Sequence, residues 1–149
     1  MTTTVRDLSA TEETESIRFE FDLAHPPEKV WRALTEENLV SEWLLPARGL
    51  RLEPGAAFTL TAPAQEGWEG TVQCRLLEIE EHRRLSYSWV VGDFLDTVVT
   101  FTLEATDTGT RLQVVQSGFR PDQKQNRGGA RYGWRLMGGR LVDLLGRMT

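Results

Sequence analysis

Over the last part of this chain the apolar residues recur at three- and four-residue steps: Ala130, Trp134, Met137, Leu141, Leu144 and Met148. That is the stripe of one continuous helix, read over about 128–147. A helical period appears only once more, between Pro26 and Pro46, where Val30/Leu34 and then Leu39/Trp43 and Val40/Leu44 sit four apart. Proline suits the first turn of a helix, because its missing N–H would be orphaned there anyway. Thr35 is placed to cap the second of these short helices, with Glu36 and Glu37 at its positive end.

Everything else with a pattern has the period of strands. Ile17, Phe19, Phe21 and Leu23 alternate with Arg18, Glu20 and Asp22, giving a half-buried strand. From Gly49 to Val115 strands follow one another through short turns at Pro54-Gly55, Pro63–Gly67, Gly92-Asp93 and Asp107-Thr108-Gly109. Inward parity moves from Val72, Cys74 and Leu76 to Leu77 and Ile79, which predicts a bulge or bend. Consecutive strands joined by tight turns pair antiparallel. Helices gathered near the ends of the chain make the class α+β. The expected architecture is a curved antiparallel sheet of about six strands around one long C-terminal helix, with two short helices after the first strand. Residues 1–15 have little to bury and read as a flexible tail, leaving 16–149 as one domain.

Bulk properties narrow the function. A net charge of −5 argues against nucleic acid, which requires a basic face. Cys74 is the single cysteine, so no internal disulfide can form. No run approaches the ~18 apolar residues of a membrane span, and residues 1–16 lack the apolar core of a secretory signal. The expectation is a cytoplasmic protein that does not insert into membranes.

Chemical motifs are sparse. There is no nucleophile elbow and no glycine-rich phosphate loop, so no cofactor is expected. His25 lies against two prolines and His82 in a charged hairpin tip at 80–84, and neither has a catalytic partner in sequence. Two separated histidines and one cysteine make no zinc set. Arg120, Lys124, Arg127, Arg131 and Arg135 gather around the start of the last helix. Two readings stand for them: attraction of an acidic partner, or a solvated helix face.

The aromatic residues carry more. Trp43, Phe58, Trp68, Tyr87, Trp89, Phe101 and Trp134 all take inward parity. Leu60, Met137 and Leu141 are their aliphatic companions, and Thr97 and Gln116 are inward polar groups able to orient a ligand oxygen. Each ring serves either as core or as a ligand contact. Glycine in a helix interior costs about 1 kcal/mol relative to alanine, so Gly133, Gly138 and Gly139 require a reason: close approach to the sheet, or space left beside it.

The segment Ala24-His25-Pro26-Pro27-Glu28-Lys29-Val30-Trp31-Arg32-Ala33-Leu34-Thr35, followed by Trp43, resembles the opening of the START-like (SRPBCC) superfamily. More narrowly it resembles bacterial homologues of the C-terminal domain of the heat-shock-protein ATPase activator. Gly109-Thr110-Arg111-Leu112, Gln116-Ser117-Gly118-Phe119, Gly133-Trp134 and Leu141…Leu144-Leu145 agree in order and spacing. The resemblance implies a helix-grip fold with a hydrophobic cavity between sheet and helix, and a small hydrophobic or amphipathic ligand reached near Gly92–Leu95 and the start of the last helix. It leaves two alternatives. One is a cyclase- or hydrolase-type enzyme in the same cavity, requiring Tyr87, Gln116 or Glu69 to meet there. The other is a module acting on a chaperone ATPase. A homodimer through the outer face of the sheet is also open.

Overall fold

The computed structural model describes residues 4–8, 16–64 and 69–148. In chain order the elements are β1 (Thr4–Asp7), β2 (Ser16–Leu23), α1 (Pro27–Thr35), α2 (Glu37–Trp43), β3 (Ala47–Arg48), β4 (Ala57–Thr61), β5 (Thr71–Glu80), β6 (Arg84–Val91), β7 (Leu95–Thr106), β8 (Gly109–Ser117) and α3 (Lys124–Arg147). All eight strands form one antiparallel sheet in the order β1-β2-β8-β7-β6-β5-β4-β3. This is the helix-grip arrangement. The sheet has eight strands where about six were read, the additions being β1 and the two-residue β3 at its edges.

β2 pairs along its whole length with β8, from Ser16↔Ser117 to Leu23↔Thr110. The first long strand therefore lies beside the last, and α1 and α2 carry the chain from β2 to β3 at the far edge of the sheet. The parity change read near Leu77 is a register shift between Leu76 and Glu78, and it leaves Leu77 exposed. Gly109 closes the β7–β8 turn at φ 154°, where a Cβ would lie 2.0 Å from the Leu23 carbonyl oxygen.

The concave side of the sheet and the two short helices enclose the core. Ile17, Phe19 and Phe21 of β2, Phe101 of β7, Leu112 of β8 and Leu141 of α3 are all fully buried. Helix and sheet approach most closely at Gly138, where an added Cβ would fall 2.4 Å from Cε1 of Phe21.

Two local expectations are corrected. Thr35 does not cap α2: its hydroxyl donates to the Trp31 carbonyl within α1 (2.7 Å), and Glu36 takes the cap position without a side-chain bond. A threonine hydroxyl in a helix can bond back to the carbonyl one turn earlier in its own helix. Second, residues 4–7, read as part of a flexible tail, form a strand; residues 1–3 and 9–15 lie outside the described residues. The strand is fastened to α3 by Asp7, which pairs with Arg131 at 2.7 Å and Arg135 at 3.5 Å. On the other face Arg6 bonds Glu20 and Asp22 of the neighbouring strand. Charge pairing rather than apolar burial holds this edge.

Candidate functional site

Near the first half of α3, helix and sheet separate. The space between them is a cavity of about 530 Å³, within the range of small-molecule sites. Val72 of β5, Trp89 and Val91 of β6 and Gln116 of β8 form its sheet wall. Gly129, Ala130, Gly133, Trp134 and Met137 form its helix wall. Leu45, Ala62, Phe94, Leu95 and Asn126 make the rim. Phe94, in the β6–β7 turn, is 43% exposed. Among the described residues, no side chain lining the cavity is charged.

The glycines of α3 separate by geometry. At Gly138 the backbone must touch Phe21. At Gly129 an added Cβ would meet nothing within 4 Å, and at Gly133 only Cε of Met137 at 3.8 Å. Packing does not require glycine at 129 or 133; there the missing side chains leave the cavity its depth.

The cavity floor is fixed by a chain of hydrogen bonds. The indole N–H of Trp134 donates to Oε1 of Gln116 (2.8 Å). Nε2 of Gln116 donates to the Thr97 hydroxyl (2.9 Å), which in turn donates to the Trp89 carbonyl (2.8 Å). All three side chains are buried, where such bonds avoid the desolvation cost of an unpaired polar group.

Below this floor the interior is solid. Phe58 meets Tyr87 at a centroid distance of 5.0 Å, Tyr87 meets Phe101 at 5.8 Å, and Phe101 meets Trp134 at 5.9 Å. Trp89 closes the set against Trp134 at 5.9 Å. Trp43 packs edge-on against Phe101, and its indole N–H donates to the Ala33 carbonyl at 2.8 Å, holding α2 to α1.

Of the residues singled out from sequence, Trp89, Gln116, Trp134 and Met137 line the cavity. Trp43, Phe58, Leu60, Tyr87, Thr97, Phe101 and Leu141 do not; they are buried against one another and against the sheet. Inward parity identifies the concave face but does not distinguish its packed end from its hollow end. Trp68 lies outside the described residues. Phe94 and Leu95, within the Gly92–Leu95 segment read as the entry, are among the lining residues.

Sequence reasoning missed Gln123. Its side chain accepts from the Arg120 backbone N–H (2.8 Å) and donates to the Phe94 carbonyl, tying the start of α3 to the rim turn. A glutamine between a Pro-Asp turn and a helix was the available signal. The basic cluster is also largely spent internally. Arg131 and Arg135 pair with Asp7, Arg120 lies by Asp122, and the buried Arg127 donates to the Ser16 carbonyl (3.0 Å).

The remaining titratable candidates lie elsewhere. Burial pushes the Cys74 thiol up to about 12, and burial, then the neighbouring Cys74, pushes the Tyr87 phenol well above its ordinary value. Glu69 is exposed. His25 sits 3.1 Å from the Lys29 ammonium, and burial and that charge lower its pKa. His82 stands edge-on to Trp31 at 6.2 Å. A larger hollow, about 800 Å³, is a polar surface trough beside the β5–β6 hairpin that includes Glu80, His82 and Arg84. It shares no residue with the apolar cavity. Amide, indole and aliphatic groups can hold and orient a molecule; they do not exchange protons near neutral pH.

The sequence profile described as Activator of Hsp90 ATPase homolog 1-like protein matches residues 24–146. Protein MLL2253 from Mesorhizobium loti, a solved structure, is 40% identical, covering 90% of this chain and 98% of its own, with a TM-score of 0.83. CalU16 from Micromonospora echinospora is 22% identical over 99% of this chain and 90% of its own (TM-score 0.66). DynU16, from the dynemicin biosynthetic locus, is 21% identical over 90% of this chain and 48% of its own (TM-score 0.76). The last two share the fold. No curated protein matches the chain.

Proposed function

This chain belongs to the Activator of Hsp90 ATPase homolog 1-like family, and from that membership together with the cavity we propose that it binds a small, largely apolar molecule between sheet and helix. The observation that carries the reading is a helix wall kept empty where packing does not require it. Gly133 stands in the interior of α3, at a helix-propensity cost of about 1 kcal/mol, yet a methyl group there would meet only the flexible end of Met137. Trp89 and Trp134 present ring surface across the hollow, and Gln116 supplies one oriented polar group beside them.

Binding would draw on apolar burial at roughly 25 cal/mol per Å², less the cost of ordering the guest. Binding fits the lining better than turnover, because the described groups facing the cavity are not proton-transfer groups. Titration with the neutral dye Nile red tests the proposal: saturable fluorescence at one dye per chain is expected, and the absence of saturable uptake would refute it.

A further inference from the structure

Gln116 is 2% exposed and lies on the cavity wall. A carboxamide has two N–H donors and two acceptor lone pairs. Trp134 takes one lone pair and Thr97 one N–H. Those partners also fix which end is oxygen: an indole N–H can only donate, and the Thr97 hydroxyl already spends its proton on the Trp89 carbonyl. One N–H and one lone pair of Gln116 therefore have no protein partner among the described residues. Gln116 itself lines a cavity whose other described lining residues include Val72, Val91, Trp89 and Met137. Asn126, the other amide of the lining, is exposed at the rim and keeps its hydration.

Resting on the binding role proposed above, we infer that the cavity selects an uncharged ligand whose buried end carries a group that both donates and accepts a hydrogen bond, a hydroxyl above all, and that Gln116 is the residue that reads it. A purely apolar guest leaves the spare N–H and lone pair unpaired, which costs affinity. A guest with a full charge is stripped of water with no counter-charge among the described lining residues, which costs more. A hydroxyl satisfies both spare positions.

Four probes sharing one ring system test this at pH 7: naphthalene, 2-naphthol, 2-naphthoate and 2-naphthylmethylammonium, titrated against the tryptophan fluorescence of the whole protein. 2-Naphthol is expected to bind about three- to tenfold more tightly than naphthalene, and each ion at least about tenfold more weakly than 2-naphthol. In Gln116→Leu the preference for 2-naphthol over naphthalene should shrink toward unity. If that variant does not fold, the wild-type ranking decides alone. Equal binding of naphthalene and 2-naphthol, or either ion matching 2-naphthol, overturns the inference while leaving the cavity a binding site. Nile red uptake with no response to any naphthalene overturns it likewise, whereas failure of all five, Nile red included, removes the binding role itself.

Discussion

The amide of Gln116 is held from both ends, by the Trp134 indole and the Thr97 hydroxyl, and this makes Trp134 as much a positioning residue as a piece of core. Replacing Trp134 by phenylalanine keeps a ring near Phe101 but withdraws the indole donor to Oε1. A buried acceptor losing its partner costs about 1–3 kcal/mol, so urea unfolding of Trp134→Phe should show a loss of that size. A change below about 0.5 kcal/mol would mean the bond adds nothing to stability. At this scale the sequence was partly legible. Alternation put Gln116, Trp89 and Thr97 on the inner face, as observed, because parity follows from strand geometry alone. It could not reveal that Thr97 turns to the backbone of its neighbouring strand, nor that Phe94 and Gln123 meet at the rim. Those positions lie in turns and caps, where no period operates.

Among the elements, α3 carries the contrast that matters. Gly138 and Gly133 look alike in sequence, yet one is pressed against Phe21 and the other faces open space. Gly133→Ala should raise stability by up to about 1 kcal/mol through helix propensity. Gly138→Ala should lower it by about 1–3 kcal/mol through overpacking against a buried ring. Thermal unfolding of the two variants beside the wild type checks both signs, and equal shifts in one direction would contradict the assignment. The existence of α3 was legible from its 3.6-residue stripe. The different roles of its glycines were not, because they depend on which strand lies opposite each turn of the helix.

For the molecule as a whole, the buried Cys74 and Tyr87 set an alkaline limit. Both have folded-state pKa values raised by burial, Cys74 to about 12. The unfolded chain releases the thiol proton near its ordinary value, about 8.5, while the folded chain retains it. Stability from this source is therefore complete below that ordinary value and is lost as pH rises toward 12. Urea midpoints measured from pH 8 to 11 should fall, and fall less steeply in Cys74→Ala; parallel curves would count against the thiol's part in the loss. The α+β class and antiparallel order were legible from strand runs joined by short turns. β1 was not: Val5 is its only apolar side chain, and the strand is held instead by Asp7 and Arg6, whose partners lie far along the chain. The same distance effect hid the hollow, since an inward-facing tryptophan reads alike whether it meets another ring or empty space. Gly133→Leu provides the most direct test, because it adds a side chain at the cavity wall, where a Cβ meets only Cε of Met137, and leaves Trp134, Gln116 and Thr97 unsubstituted. It should remain folded with an unchanged or higher melting temperature and bind Nile red at least about tenfold more weakly than the wild type. Undiminished Nile red binding by the folded variant would contradict the account.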